Sequence, residues 1–262
     1  MSKIDEEKIW QALREQARER AHAEPLLASY YYSSVLEHAS FADALASRLA
    51  TRLESAALTA LPLDDLFAAC LRANPAIVSA ALADLQACFE RDPACDSYCL
   101  PFMYFKGYQS IQAQRLAHHL WNSGRKSIAR YIQHIASLRF HVDVHPAAKL
   151  GHGLMFDHAT GIVIGETAEV GNDVSMLHGV TLGGSGCSAG KRHPTIGNGV
   201  MISCGAKILG AIRVGEGVKI GGGSLVLESV PDHVTVVGVP ARIIGSPGED
   251  APALSMDQDL TH

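Results

Sequence analysis

An apolar residue recurs at every sixth position in the second half of the chain, and this period constrains the fold more than any other feature. The period fits neither an α-helix nor an alternating strand, but it fits short strands joined by tight turns and stacked into coils. The positions in register are Ile164, Val170, Met176, Leu182, Ile196, Ile202, Ile208, Val214, Ile220 and Val226. The repeat therefore predicts a parallel β-helix from about Val142 to Gly245, with these side chains inside. Ten in-register positions disfavour the alternative, a Gly-rich set of ordinary strands.

Glycine follows six of the ten apolar positions, as at Gly165 and Gly197, and we expect it to permit the corners of the coil. The register breaks twice, between Phe156 and Ile164 and between Leu182 and Ile196. Extra residues in a solenoid form loops, and loops on a rigid scaffold often carry function. The residues of greatest chemical interest in the two breaks are Asp157, His158, Lys191, Arg192 and His193.

The first half of the chain has a helical pattern, with few glycines and many Ala, Leu, Glu and Arg residues. Asn74-Pro75 predicts a helix start with Asn as the cap, and the apolar spacing that follows ends at Asp92-Pro93. Further helices are expected over Ser110 to Trp121, over Lys126 to about Leu138 and within Trp10 to Leu58. The fold class is therefore α+β in sequence order. It comprises an all-α N-terminal domain (1–140), a β-helix domain (141–246) and a flexible C-terminal tail (247–262).

Composition excludes several classes of protein. Hydrophobic residues make up 47% and charged residues 19%, which is typical of a globular chain. The formal net charge of −5 argues against a nucleic-acid partner, and no apolar run is long enough to predict a membrane span. The charged N-terminus has no signal core, so we expect a cytoplasmic protein. The six cysteines form no CxxC pair, which favours free thiols over a metal site.

Several segments together resemble bacterial serine O-acetyltransferases. They are Asp143 to Ala148 (DVHPAA), Asp157 to Gly161 (DHATG), Val180 to Gly184 (VTLGG), Lys191 to Pro194 (KRHP), Gly238 to Arg242 (GVPAR) and Arg91 to Ala94 (RDPA). The hexapeptide repeat is shared by many acyl- and nucleotidyltransferases, but the combination of DHATG, VTLGG and KRHP is specific. The resemblance implies a left-handed β-helix and trimers with active sites between neighbouring β-helices. It also implies that the helical domains pair two trimers into a homohexamer.

The resemblance implies transfer of an acetyl group from acetyl-CoA, as co-substrate, to the hydroxyl of L-serine. A hydroxyl is a weak nucleophile near neutral pH, so a general base is needed, and histidine suits that role. The family implies His158 as the base, oriented by Asp143, with His193 as a second catalytic histidine near the serine hydroxyl. Choosing one base between two histidines requires geometry.

The remaining site residues are also implied by the resemblance. Asp92 and Asp157 are expected to hold the serine ammonium, and Arg192 is expected to fork onto the carboxylate. Each has an ordinary alternative: for Asp92 the end of a helix before Pro93, and for Arg192 a solvated loop charge. The expected contacts of coenzyme A are Gly184, Cys204, Gly205, Lys219, Gly222, Gly223 and Arg242, although the two charged residues could equally be surface charges. No metal is expected.

Three departures from the family pattern affect these expectations. Cys187 stands where the loop usually carries a lysine, and Ser203-Cys204 replaces a more usual Gly-Ala pair. The tail ends at Thr261-His262 without the terminal isoleucine that docks into O-acetylserine sulfhydrylase in the family, so the sequence does not decide that partnership.

The family is often inhibited by L-cysteine at the serine site, and we expect the same here.

Three other functions compete with this interpretation. A sugar acetyltransferase would have a shorter N-terminal segment and would lack the DHATG and KRHP pair. A zinc hydrolyase of the β-helix carbonic anhydrase type needs three converging histidines. The candidates, which follow no justifiable spacing, are His145, His152, His158, His178 and His193. A non-catalytic scaffold would not need Asp143, His158 and Arg192.

Overall fold

The computed structural model describes residues 6–54, 62–186 and 189–260. Helices occupy the first half of the chain, with a 3₁₀ turn at Pro25–Leu27 and a π-helical turn at Tyr32–Leu36. The α-helices are Glu6–Ala23 (α1), Ala28–Tyr31 (α2), Phe41–Leu53 (α3), Leu63–Ala73 (α4), Ala76–Arg91 (α5), Cys99–Tyr104 (α6), Lys106–Asn122 (α7), Lys126–Phe140 (α8) and Pro252–Ser255 (α9). The last predicted helix of the first half therefore ends at Phe140, two residues beyond the predicted end.

Two details of the helix prediction are wrong. Pro75 occupies the N-cap position of α5, so the Asn74 side chain does not cap it. Helix α7 begins at Lys106, four residues before the predicted start. Its first turn lacks the acidic residues that mark helix starts, and it contains Gly107, so no local sequence signal favours a helix there.

Short strands form three sheets in the second half of the chain. The strands are Val142–Val144 (β1), Lys149–Leu150 (β2), Met155–Phe156 (β3), Ile162–Ile164 (β4), Glu169–Val170 (β5), Ser175–Met176 (β6), Thr181–Gly183 (β7), Thr195–Ile196 (β8), Met201–Ile202 (β9), Lys207–Leu209 (β10), Arg213–Val214 (β11), Lys219–Ile220 (β12), Leu225–Val226 (β13), Thr235–Gly238 (β14) and Ala241–Gly245 (β15). Every third strand pairs in parallel up to β13: β1-β4-β7-β10-β13 form sheet A, β2-β5-β8-β11 form sheet B and β3-β6-β9-β12 form sheet C, to which β14 adds beside β12. The result is a three-sided parallel β-helix of about five coils, as the repeat predicts.

The strand register confirms both breaks in the repeat. Ile164 pairs with Leu182 eighteen residues later, which is one coil of three hexapeptides. Val144 pairs with Ile164, twenty residues on, so coil 1 contains two extra residues. Leu182 pairs with Ile208, twenty-six residues on, so coil 3 contains eight extra residues. All ten in-register side chains are at most 5% exposed, and they belong to the same core as the helices.

The glycines after the apolar residues have a different role from the one expected. None of the six adopts a left-handed conformation. They are required by close stacking, because a Cβ added at Gly197 would lie 2.7 Å from the Gly215 carbonyl carbon of the next coil. The left-handed corners lie in other columns, for example at Gly179, Gly205 and Gly223.

The C-terminal part of the chain departs from the expectation in two ways. Strand β15 pairs antiparallel with β14, so a hairpin ends the parallel stack. The segment after Gly248 is not free, because α9 packs on the outer face of sheet C, where Ala253 is fully buried. The Ser175 Oγ donates a hydrogen bond to the Ala253 carbonyl at 2.9 Å, and Leu177 and Met201 cover the Ala253 side chain.

No single helix in the described ranges is long and apolar enough to span a membrane. Helices α4 and α5 satisfy that length and composition test only as a pair, and they meet at an angle of 99°.

A buried carboxylate joins the helices to the β-helix. Asp84 of α5 is fully buried and accepts hydrogen bonds from Gln112 Nε2 (2.9 Å) and Arg115 Nη2 (2.7 Å) of α7. It also accepts one from the Leu154 backbone N–H of coil 1 at 2.8 Å. Arg115 extends the link, since its Nη2 also donates to the Gly151 carbonyl at 2.7 Å. This network fixes two helices and the first coil relative to one another.

Replacing Asp84 with Asn is expected to lower the free energy of unfolding by about 3–5 kcal/mol, because the buried Arg115 cation would lose its counter-charge. Denaturant unfolding at fixed protein concentration measures the change. Glu90→Gln, which removes an exposed charge from the same helix, is the control and should change stability by about 0.5 kcal/mol or less. Equal effects of the two substitutions would contradict the role of Asp84.

Candidate functional site

The first break in the repeat forms the corner between sheets C and A in coil 1. Strand β3 ends at Phe156 and β4 begins at Ile162, so residues 157–161 make the turn. His158 and Ala159 adopt left-handed conformations with φ of 52° and 57°. The corner therefore projects His158 from the wall of the β-helix, and the His158 side chain is 80% exposed.

A pocket of about 240 Å³ lies beside this corner. Asp92 enters it from the C-terminal end of α5, and Lys106 enters it from the first position of α7. Asp157 and His158 complete its polar lining. Three of the predicted site residues therefore meet in one pocket although they come from distant parts of the sequence. Asp92 also makes the local turn before α6, because its Oδ1 accepts a hydrogen bond from the Ala94 backbone N–H at 2.9 Å.

The expected contact between Asp143 and His158 is not formed in this conformation. Asp143 Oδ1 accepts a hydrogen bond from Gln133 Nε2 of α8 at 2.8 Å. The carboxylate within 4 Å of His158 is Asp157, whose Oδ1 lies 3.9 Å from His158 Nε2. The His158 ring also meets the His178 ring of the next coil edge-on, with centroids 6.3 Å apart.

The second break forms the corner between sheets A and B, where Thr167 binds the end of the inserted loop. The Thr167 Oγ1 accepts hydrogen bonds from the backbone N–H groups of Arg192 (3.0 Å) and His193 (3.1 Å). Glu166 accepts a hydrogen bond from Arg192 Nη2 at 2.5 Å, which lowers the pKa of the Glu166 carboxyl. Lys191 Nζ donates to the Thr167 carbonyl at 2.7 Å.

These contacts also determine the protonation of His193. The backbone N–H of Thr167 donates to His193 Nδ1 at 3.2 Å, so Nδ1 acts as an acceptor and the ring proton sits on Nε2. Burial, followed by the neighbouring Arg192 charge, holds the pKa of His193 below its ordinary value. Burial thus favours the neutral ring, and the Thr167 N–H favours the tautomer whose Nε2–H can donate. The His193 ring packs directly against Gly165. A Cβ added at Gly165 would lie only 1.9 Å from His193 Nε2, so position 165 requires glycine.

Four of the expected coenzyme A contacts form a column below the His158 corner. Cys204 and Gly205 lie two coils below, and Gly222 and Gly223 lie in the coil after that. The Gly205 backbone N–H donates to the His178 carbonyl at 2.9 Å, and the Gly223 N–H donates to the Cys204 carbonyl at 2.8 Å. The column therefore runs from the His158 corner past His178 to a ridge of small residues in the next two coils.

The other expected cofactor contacts lie elsewhere. Gly184 lies at the second corner, where an added Cβ would be 3.4 Å from His193 Nε2. Lys219 is 5% exposed under the C-terminal segment, where it donates to the Asp259 carbonyl at 2.5 Å and to Asp257 Oδ2 at 3.4 Å. The possibility of an open surface charge at Lys219 is therefore wrong in this conformation. Arg242 is exposed on β15 and lines a pocket of about 370 Å³ at the end of the β-helix. Cys187 falls outside the described residues.

The two corners are separated by the full width of sheet A. From Gly161 to Glu166 the chain runs along one face of the β-helix, roughly 16 Å at about 3.3 Å per residue. The pocket with Asp92, Asp157 and His158 and the corner with Arg192 and His193 therefore lie at opposite edges of one face. A single chain does not bring them together.

Three residues at these corners were absent from the sequence-based site. Glu166 and Thr167 contact the inserted loop across coils, and no local pattern predicts that contact. Lys106 lies before the helix that the sequence predicts from Ser110, so no pattern identified it either. In the described residues of one chain, no three His, Cys, Asp or Glu side chains lie close enough to hold a metal ion.

Two family models match this chain, one in the helical part and one in the β-helix. The family model described as "Serine acetyltransferase, N-terminal" matches residues 9–113, and "Bacterial transferase hexapeptide (six repeats)" matches residues 193–228. The serine acetyltransferase of Escherichia coli K12 is 49% identical over 258 residues, which cover 98% of this chain and 94% of that protein. The chain belongs to the serine acetyltransferase family.

Solved structures of serine acetyltransferases share the whole fold. The enzyme from Vibrio cholerae is 50% identical, with a TM-score of 0.96, and the match covers 98% of this chain and 100% of that one. A serine acetyltransferase in complex with cysteine is 48% identical, with a TM-score of 0.94 and coverage of 96% and 98%. The Brucella abortus serine acetyltransferase in complex with coenzyme A is 49% identical, with a TM-score of 0.90 and coverage of 92% and 96%.

Membership of the serine acetyltransferase family confirms the expected reaction class. The protein is an acyltransferase that uses acetyl-CoA as the acetyl donor and L-serine as the acceptor. The alternatives of a sugar acetyltransferase, a zinc hydrolyase and a non-catalytic scaffold are therefore set aside.

Proposed function

We propose that this protein forms O-acetyl-L-serine with His158 as the general base and His193 as a hydrogen-bond donor to the reacting oxygen. The observation that carries the proposal is the contrast between the two imidazoles. The Thr167 N–H and Oγ1 both contact His193 Nδ1, and the N–H donor favours the tautomer with the ring proton on Nε2. The exposed His158 ring has no hydrogen bond among the described residues that would block either nitrogen, so it is the histidine able to accept a proton.

The proposed reaction is a direct acetyl transfer. The serine Oγ attacks the thioester carbonyl carbon as His158 accepts the hydroxyl proton, and a C–O bond forms. Collapse of the tetrahedral intermediate breaks the C–S bond, and the proton passes from His158 to the departing CoA thiolate. The Nε2–H of His193 is suited to stabilise negative charge on oxygen during this sequence.

The charged residues complete the proposed serine site. Asp92 and Asp157 bind the ammonium group, and Arg192 binds the carboxylate while Glu166 holds one of its guanidinium nitrogens. Gln133 occupies one oxygen of Asp143, and the other has no partner among the described residues. We therefore retain Asp143 as the proposed partner that orients His158 after rotation of the exposed ring.

Acetyl-CoA is proposed to lie along the ridge of small residues below His158. Close approach to the backbone is possible there because Gly205, Gly222 and Gly223 lack side chains. Cys204 lies on the same ridge, and Gly184 faces it from the second corner. Arg242 is the proposed electrostatic contact, and Lys219 becomes one only if the segment with Asp257 and Asp259 moves.

Glutamine substitutions separate the two histidine roles, because a glutamine amide retains an N–H donor but is not a base. His158→Gln and His158→Leu should both lower kcat/KM by about 10²–10⁴-fold. His193→Gln should remain about 10-fold more active than His193→Leu, the value of roughly one hydrogen bond. The assay follows release of the CoA thiol from acetyl-CoA in the presence of L-serine.

Serine-dependent release by the unmodified chain is the reference for all four variants. A His158→Gln variant near full activity together with an inactive His193→Gln variant would reverse the assignment.

We further propose that each active site forms between two chains of a homotrimer. The support is the separation of the His158 and Arg192 corners across one face of the β-helix. A threefold arrangement places the first corner of one chain against the second corner of its neighbour, which closes the site. Pairing of two trimers into a hexamer through the helical domains remains an expectation from the family.

Mixed oligomers test this arrangement. His158→Ala and Arg192→Ala chains should each be inactive alone. Co-expressed, they should recover activity, because in every mixed trimer one of the three interfaces joins an intact His158 to an intact Arg192, about a third of the sites. The two proteins purified separately and mixed without subunit exchange are the control. No recovery in verified mixed trimers would place both residues in the same site of one chain.

L-Cysteine is the proposed inhibitor at the serine site. It carries the same ammonium and carboxylate groups as serine, so Asp92, Asp157 and Arg192 would bind it in the same way. A relative of this chain has been solved with cysteine bound. Added L-cysteine should raise the apparent KM for serine without lowering the maximal rate at saturating serine. Serine saturation curves that do not move would contradict competition at this site.

A further inference from the structure

The corner that carries His158 has an unusual backbone for its column. At the same corner of the following coils, the left-handed residue is a glycine, namely Gly179, Gly205 or Gly223. In coil 1 the two extra residues place His158 and Ala159 in that conformation as well. Residues with a Cβ adopt it at a cost and remain in it only where surrounding structure holds them.

Thr160, which follows these two residues, is held from both sides. Its carbonyl accepts a hydrogen bond from the Gly179 backbone N–H of the next coil at 2.8 Å. Its Oγ1 accepts a hydrogen bond from the Lys106 ammonium of α7. The main chain of the β-helix therefore anchors Thr160 on one side, and the helical part of the molecule anchors it on the other.

The position of Lys106 is itself constrained. The next residue, Gly107, lies so close to coil 1 that an added Cβ would be 2.0 Å from the Phe156 carbonyl oxygen. The start of α7 is therefore pressed against the residue that precedes the corner. A lysine at this position opposes the helix dipole. The Lys106 ammonium donates a hydrogen bond to the Thr160 Oγ1 instead of stabilising the helix end.

We propose that Lys106 is a positioning residue, which acts through Thr160 to hold the 157–161 corner in the left-handed conformation that presents His158 to the substrate. The inference deepens the proposed function, because it rests on His158 as the general base. Loss of the Lys106–Thr160 hydrogen bond lets the corner relax and displaces the imidazole from the serine hydroxyl.

Matched substitutions test the proposal in the full-length oligomer. Lys106→Met removes the donor, and Thr160→Val removes the acceptor at nearly constant shape. Each should lower kcat by roughly 10- to 100-fold, since a displacement of about 1 Å can reduce the rate 10²-fold. The KM for acetyl-CoA should not change. Thr160→Ser retains the hydroxyl and should restore kcat to near the wild-type value.

Two further variants separate positioning from a general loss of structure. The double variant Lys106→Met/Thr160→Val should be no slower than the more impaired single variant, because both remove the same interaction. Arg213→Met removes an exposed cation that pairs with Asp232 on the sheet B side of the β-helix and should leave kcat unchanged.

Three results would overturn the proposal: unchanged kcat in both single variants, equal losses in Thr160→Val and Thr160→Ser, or losses that multiply in the double variant. His158→Ala distinguishes this inference from the proposed function. If His158→Ala is inactive and Lys106→Met is fully active, only the positioning role fails. If His158→Ala is active, the assignment of the base fails.

Discussion

The hydrogen bonds accepted by the buried Asp84 carboxylate are the interaction on which the architecture of the pocket depends. Asp84 is a fully buried residue of α5. Its carboxylate accepts hydrogen bonds from side chains of α7 and from a backbone N–H of the first coil. A buried charge of this kind is tolerated only when it is fully hydrogen bonded, so the three pieces have one mutual arrangement. The same three pieces line the pocket, with Asp92 at the end of α5, Lys106 at the start of α7 and His158 in coil 1. The pocket is thus assembled by a contact that lies outside it.

The β-helix contributes rigidity, and its irregularities contribute the chemistry. Stacked coils leave no room for side chains at positions such as Gly197, so the wall itself is closely packed. Two extra residues in coil 1 and eight in coil 3 are accommodated only at corners, where the chain leaves the wall. The first produces a strained turn that exposes His158. The second returns to the wall at Thr167, whose backbone N–H donates to His193 Nδ1.

The repeat made much of this fold predictable, because a six-residue period restricts both strand register and burial. The register of all ten apolar positions and both insertions follow from the sequence. The reason for the glycines does not follow from the sequence. It is the close approach between neighbouring coils, which local sequence does not reveal. The packed C-terminal segment was missed for a similar reason. Its composition resembles that of a flexible tail, yet the surface of sheet C provides a place for Ala253.

The sequence indicates which residues belong to the candidate site, but not which of them contact one another. Asp92, Asp157 and His158 meet as the resemblance implies, while Asp143 binds Gln133 and Lys219 lies under the tail. Glu166, Thr167 and Lys106 had no motif to identify them, because each acts on a residue remote in sequence.

The surroundings of the two histidines agree with the proposal that the site is divided between two chains. A base must be free to accept a proton, which favours an exposed, loosely held ring such as that of His158. A fixed donor must be held by its other nitrogen, which requires the packed environment that Thr167 provides for His193. The chain from Gly161 to Glu166, which separates these two environments, spans roughly 16 Å, so one substrate hydroxyl cannot contact both histidines of a single chain. In the proposed trimer, apposition of two chains would remove that distance while each histidine keeps its own surroundings.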